Sequence, residues 1–500
     1  MVDIYLPIRD HLLLWLASAD LRSPAATVTD GVVHVRETRA TEAPRQYGGQ
    51  SSPERLIEIA RYFSFIGIVG FGGPLVHIAM MEDDLVGEDS RRWTDESIFM
   101  EGLAICNMLP GPASTQLGIF MGWVRAGIPG ALVAGVFFML PTFVIVVVFS
   151  WLYFAYQTVP AVEAVFYGIN PVVIGLIVGA SYSMAQNALA GGRSHAEFDV
   201  GSDTWPVDFL LVALLVAAIV ATVSLNPNPV VEFVVAGLIA VAVYRFDWVR
   251  SNARGVIVFG VVAAAFSIAY SLRDRIRSFV GAGVRRTIEA SPLWGLAVVV
   301  WANPWMKLFL FMVYTGSFIY GGGLVLIPFI EKYVVNEFAW MTAREFVDGI
   351  AIGQLSPGPV VMTTAFVGYK LMLDVSGGVL WIAVLGALVA MIGAFGPSFV
   401  FIIGFFPYFA KVRENDVVQT ALTGVNAAVV GAILGATVTL AAESFIVETP
   451  TLPVAIGATT LDLFTVGLAI VTYWLFVRGV HAAYLILGGG AIGIGAFFLL

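Results

Sequence analysis

The chain has 500 residues, 59% hydrophobic and only 12% charged, with a formal net charge of −9 and a mean hydropathy of +0.88. Soluble domains carry about a quarter charged residues; here apolar stretches of about 20 residues recur, each long enough to cross a bilayer core. The composition therefore reads as an all-α polytopic membrane protein, and it argues against a disulfide framework or thiolate metal site (one cysteine, Cys106), a histidine metal site (five scattered histidines), a Walker A loop (no Gly-Lys pair) and a nucleic-acid partner. No metal or cofactor is expected.

Residues 1–54 form a polar extension. HLLLWLASA at 11–19 faintly resembles a secretory apolar region, but no basic segment precedes it; an interfacial helix and a tail are expected there. Spanning helices are expected at about 56–79, 97–123, 129–157, 162–189, 207–225, 229–246 and 254–272, then at 305–329, 345–371, 376–409, 417–443, 460–478 and 481–499. That makes thirteen. The run at 292–303 is too short to span and is assigned to the interface.

A duplication underlies this order. ICNMLPGPASTQLG (105–118) and IGQLSPGP (352–359) each carry Pro-Gly-Pro 17 residues after a tryptophan, Trp93 and Trp340. Upstream, SFIGIVGFGGPLVHI (64–78) matches VYTGSFIYGGGLVLI (313–327). Downstream, MLPTFVIVVV (139–148) matches AFGPSFVFII (394–403), and GINPVVIGLIVG (168–179) matches GVNAAVVGAILG (424–435). Residues 55–246 and 304–500 thus read as two copies of one six-helix unit, joined by a linker at 247–303. The spread of Lys and Arg slightly favours copies of the same orientation, chiefly through Arg273, Arg275, Arg277, Arg285 and Arg286. Yet 254–272 is long and apolar enough to cross, which inverts the second copy. Inversion is the expectation adopted.

Proline removes a helix hydrogen bond and clashes with the preceding turn, at about 3 kcal/mol or more. Pro110, Pro112, Pro357 and Pro359, flanking Gly111 and Gly358, should break their helices. Irregular backbone at membrane depth is tolerated only where protein or a water-filled cavity satisfies it, and the helix restarting after each break offers N–H groups to anions. Asn107, Ser114, Thr115 and Gln116 surround the first break, and Gln354, Ser356, Thr363 and Thr364 the second. GFGGP at 70–74 and YGGG at 320–323 read either as close-packing faces or as further unwound segments. Arg125 and Lys370 read as interfacial anchors or as anion-recruiting cations. Glu101 and Asp348 hold matching positions and are the candidate proton carriers. GxxxG at 175–179 and 431–435 reads as a helix-packing face.

The FxxIGxxGFGGPLVH stretch (63–77), the Trp93 to Gly102 run, PGPASTQLGIFMGWVRAG (110–127) and MLP (139–141) resemble the chromate ion transporter family in its long, two-domain form. The resemblance implies efflux of chromate across the plasma membrane, driven by the proton motive force, as chromate resistance, with two homologous halves of opposite orientation. Carried over residue by residue, it marks Gly72, Gly73, Pro74, His77, Asn107, Pro110, Gly111, Pro112, Gln116 and Arg125 as substrate contacts. In the second half it marks Gly321, Gly322, Pro357, Gly358 and Pro359. Gly323 stands where the first half has Pro74, and Leu326 where it has His77, so the first half is expected to supply more of the contacts. Sulfate shares chromate's charge and shape, which leaves sulfate uptake or exchange as the alternative. An intramembrane enzyme would need Glu101 and Asp348 to meet.

Overall fold

The computed structural model describes residues 27–29, 32–34, 49–86, 91–190, 196–200, 203–251, 301–320, 322–413, 415–446, 451–456 and 459–499. The apolar run at 11–19, the linker span 254–272 with its following arginines, most of the 292–303 run, and Gly321 lie outside them. The chain divides into two compact units, Met1–Tyr47 and Gly48–Leu500. In the first, β1 (Thr27–Thr29) pairs antiparallel with β2 (Val32–His34).

The second unit opens with α1 (Pro53–Val69), capped by the Ser52 side chain with proline at its first turn. After the glycines comes α2 (Pro74–Leu85). The Tyr62 hydroxyl donates to the Met80 carbonyl at 3.3 Å, whereas 18 residues of straight helix would separate them by about 27 Å. The chain has therefore turned back on itself. The same holds for α3 (Glu96–Cys106) and the start of α4 (Ala113–Tyr156): Gly102 lies so close to the Phe120 ring that a Cβ would overlap it.

The second copy repeats both reversals. α9 (Pro304–Ser317) is followed by a short 3-10 turn (Gly323–Val325), α10 (Leu326–Ile330) and a π-helical turn (Glu331–Glu337). Phe311 on α9 meets the Tyr333 ring at 5.6 Å. α11 (Ala343–Leu355) and α12 (Thr363–Val375) close the second pair, with Gly349 packed on Phe366.

The expected spans 56–79, 97–123, 305–329 and 345–371 are thus corrected: each is a hairpin of two antiparallel arms. A kinked span and a hairpin have the same hydropathy, but the turn glycines decide between them. Gly72 (φ +119°), Gly73 (+79°), Gly111 (+130°), Gly322 (+139°) and Gly358 (+93°) take conformations that reverse the chain.

Among the described residues, the other expected spans each centre on one helix, except 376–409, which is a helix continued through a π turn into a second. α4 is interrupted at Ala126 and Gly127, where the chain turns so sharply that Gly122 packs against Gly130; its second arm, 128–156, runs about 43 Å. Ile128, Leu132, Val136, Leu140, Val144 and Val148 are all exposed along one stripe of that arm, while its other face is buried and equally apolar. A helix apolar on both faces is suited to lipid. α5 (Pro160–Ala190) returns, and a hairpin of β3 (Ala196–Val200) and β4 (Asp203–Val207) leads to α6 (Phe209–Leu225), α7 (Pro229–Tyr244) and the short α8 (Phe246–Ser251).

In the second copy α13 (Leu380–Val400) continues through a π turn (Phe401–Phe405) into α14 (Phe406–Arg413). Then follow α15 (Asp416–Phe445), a hairpin of β5 (Pro453–Ile456) and β6 (Thr459–Asp462), α16 (Leu463–Val477) and α17 (Ala482–Leu499). Among the described residues, Ala113–Tyr156, Pro160–Ala190, Leu380–Phe405 and Asp416–Phe445 are long and apolar enough to cross a membrane; α6, α7, α16 and α17 are shorter apolar helices.

The GxxxG faces pack across the copies. Gly175 and Gly179 of α5 meet Ala469, Thr472 and Phe476 of α16, and Gly431 and Gly435 of α15 meet Leu215, Ala218 and Thr222 of α6.

Candidate functional site

The four hairpin turns meet, and they do so reciprocally. The Gly111 N–H donates to the Ile319 carbonyl at 2.6 Å, and the Gly358 N–H donates to the Gly70 carbonyl at 3.1 Å. Gly111 and Gly358 are matching positions, and so are Gly70 and Ile319. The pairing extends one layer further: Thr142 on α4 donates to the Pro357 carbonyl at 2.6 Å, while its counterpart Ser398 on α13 stands where a Gly111 Cβ would lie 2.6 Å from its Oγ.

Carbonyl and amide ends fare differently at this junction. The Gly70 carbonyl takes both Gly358 and His77 Nε2, the latter at 2.7 Å. The Pro110 carbonyl takes Gln116 Nε2 at 2.6 Å. The helices that start at the turns, by contrast, have no side-chain cap: their N-cap residues are Gly73, Pro112, Gly322 and Pro359. The arms that start at the outer ends are all capped, by Ser52, Asp95, Asn303 and Thr342. The first N–H groups of a helix find no partner within it, so the junction gathers uncapped helix starts while its carbonyls are covered.

The two copies diverge in their hydroxyls. In the second, Ser356 donates to Gly353, Thr363 to Val360 and Thr364 to Val361, and a 3-10 bond from the Met362 N–H to the Pro359 carbonyl uses one of the early amides. In the first, Ser114 Oγ, Thr115 Oγ1 and Gln116 Oε1 are buried with no partner among the described residues, as is Ser398 Oγ. A buried polar atom without a partner calls for an explanation.

The structure brings Gly72, Gly73, Pro74, His77, Pro110, Gly111, Pro112, Ser114, Gln116, Gly322, Ser356, Pro357, Gly358, Pro359 and Thr363 to or beside the turns, with the exposed Asn107 and half-buried Gln354 on the arms entering them. Thr142, Ser398 and Ile319 were missed by sequence reasoning; the matched MLPT and GPS blocks, each with a hydroxyl after proline, were the available signal for the first two.

Arg125 and Lys370 are not at the junction. Arg125 lies at the outer ends of the first copy's hairpins, paired with Glu58 at 2.8 Å and over the Trp93 ring. Lys370 pairs with Glu345 at 3.1 Å and Asp374 at 3.0 Å. A partly exposed pair of this kind contributes about 1 kcal/mol or less. For the transport expected from the sequence, Arg125→Lys should leave the substrate concentration for half-maximal flux within about twofold of wild type, measured in vesicles at matched protein level. A tenfold rise would instead place substrate at the hairpin ends. Glu101 is half-buried on α3, whereas Asp348 is buried beside Tyr153, near the far end of the long arm of α4.

A duplicated set of helical hairpins, with unwound turns meeting between two copies and long apolar helices around them, fits a multi-pass membrane transporter. The chromate transporter family matches the chain over residues 57–241 and 306–494, and the chain belongs to that family. It is 31% identical to the probable chromate transport protein of Synechococcus elongatus over 392 residues, covering 78% of this chain and 85% of that protein. It is 30% identical to the chromate transport protein of Cupriavidus metallidurans, covering 89% and 94%, and 29% identical to that of Pseudomonas aeruginosa, covering 87% and 90%. No solved structure matches.

Proposed function

We propose that this protein exports chromate across the plasma membrane, driven by the proton motive force, and so confers chromate resistance. The oxyanion is held where the four turns meet, chiefly by the first copy. The observation that carries this reading is the cap pattern: helix starts at the junction are uncapped and their neighbouring carbonyls are covered. Helix N-termini attract anions through free N–H groups and the dipole together. Ser114, Thr115 and Gln116 add buried side-chain polar groups in the copy that keeps Pro74 and His77.

The repeats, 55–246 and 304–500, are inserted in opposite orientation. Support comes from the long arms. The 128–156 arm starts beside the Arg125 end of the first copy's hairpins, and its far end meets the second copy's: Tyr153 bonds to Asp348 and Phe154 stacks on Phe366. Conversely, α13 starts at the outer ends of the second copy's hairpins, and its continuation brings Phe406 to within 4.4 Å of Phe120. The outer ends of the two sets thus lie on opposite faces. Every hairpin and helix pair within a copy returns to the side it left, which agrees with the single linker crossing expected from the sequence. Arg55, Arg61, Arg91, Arg92 and Arg245 join Arg125 at the first face, against Lys332, Arg344 and Lys370 at the second, which puts the first in the cytoplasm. With Cys106 replaced by alanine, a membrane-impermeant maleimide should label Val379→Cys in intact cells and Ser97→Cys only after permeabilisation. Labelling of both from one side contradicts inversion.

Radiolabelled chromate flux in everted vesicles tests the function. Uptake should rise on energisation, collapse with an uncoupler and fall under excess sulfate only weakly. Sulfate moving while chromate does not would establish the sulfate reading instead.

A further inference from the structure

On the face assigned to the outside, a cavity of about 440 Å³ lies between the hairpin end of the second copy and the turn joining α4 to α5, lined by Tyr153, Gln157, Glu163, Thr342, Arg344 and Asp348 among others. Asp348 forms part of its floor and is 2% exposed. The Tyr153 hydroxyl donates to Asp348 Oδ2 at 2.6 Å, and Asn170 lies against the same carboxylate. Asp348 Oδ1 and Asn170 Oδ1 are both buried with no partner among the described residues.

The charged groups around this carboxylate are already engaged. On its own helix, Arg344 pairs with Glu163 of α5 at 3.2 Å, and Glu345 pairs with Lys370 of α12 at 3.1 Å. The Tyr153 hydroxyl and the Asn170 side chain lie on this carboxylate, but among the described residues it has no ion pair, and an ionised carboxylate without a paired cation is costly to bury. A proton on the carboxylate removes that cost.

We infer that Asp348 is the binding site of the coupling proton, entered from outside through this cavity, with Tyr153 and Asn170 as its positioning residues. The assignment rests on the proton-driven export reading and singles out one of the two candidate carboxylates. Asp348 lies nine residues before Pro357, about 13 Å along the arm, so protonation acts on the hairpin that carries one of the four turns. The first copy has no equivalent: Glu101 is only half-buried.

The test uses purified full-length protein in proteoliposomes with radiolabelled chromate. Wild type is first assayed for chromate exchange at equal pH, which tests transport apart from coupling. Asp348→Asn, which carries no titratable proton, is expected to keep that exchange and to lose pH-gradient-driven accumulation at least about tenfold. Tyr153→Phe keeps the ring between Phe166 and Phe366 and removes only the donor to Oδ2. Its driven flux should titrate with a midpoint about one to two pH units higher, a shift that a merely structural tyrosine would not give. Driven accumulation at wild-type level in Asp348→Asn overturns the assignment, and so does an unmoved midpoint in Tyr153→Phe. A wild type that exchanges no chromate overturns the transport reading itself, and the proton assignment with it.

Discussion

Gly111→Ala and Gly358→Ala should each abolish chromate transport while leaving membrane insertion near normal. Both positions have positive φ, +130° and +93°, where a Cβ costs about 1–2 kcal/mol through its contact with the following carbonyl. Space is the second obstacle. At Gly358 the new carbon would overlap the Thr142 hydroxyl, and at Gly111 it would overlap Gln116 and approach Ser398. The third is the reciprocal pair of backbone bonds, since tilting either peptide to relieve the overlap withdraws an N–H from Ile319 or Gly70. Gly377→Ala is the control: it too has positive φ, +68°, but nothing lies within 4 Å of its Cβ position. That variant should lose some stability and keep its flux. If Gly377→Ala and Gly358→Ala lose transport equally, backbone strain explains both and the junction has no special role.

Gln116→Ala should raise the chromate concentration for half-maximal flux about ten- to hundredfold, the equivalent of one hydrogen bond to a charged group at roughly 1.5–3 kcal/mol. Gln116 is buried, its Nε2 holds the Pro110 carbonyl, and its Oε1 has no partner. Thr363 occupies the matching place, four residues after the second proline of its turn, but its hydroxyl is spent on Val360 at 2.9 Å. Thr363→Val should therefore stay within about threefold of wild type. Equal losses in the two variants would mean that the copies share the substrate evenly, against the asymmetry of their hydroxyl partners.

Much of this was legible in the sequence because proline and glycine act locally. The paired Pro-Gly-Pro segments, the matched tryptophans and the duplicated blocks all fall where the structure places equivalent residues. The reversals could not be read. Residues 97–123 have the length and hydropathy of a crossing helix whether the chain continues after Pro112 or turns back, and only Phe120 against Gly102 separates the two. The bonds between turns link segments far apart in the chain, so no local pattern announces them. Glu101 and Asp348 sit at the same point of their arms, and the difference in burial comes from partners supplied by distant helices, such as Tyr153 on α4. The β3–β4 and β5–β6 hairpins were missed altogether, being short strands among spans defined by hydropathy.

The proposed oxyanion site is the junction of the four turns, and chromium offers a direct way to locate it. Crystals of the full-length protein grown with chromate, measured on both sides of the chromium absorption edge, should give an anomalous peak within hydrogen-bonding distance of the α4 start at Ser114–Gln116. A peak confined to the hairpin ends beside Arg125, or to the cavity above Asp348, with none at the turns, would contradict the account.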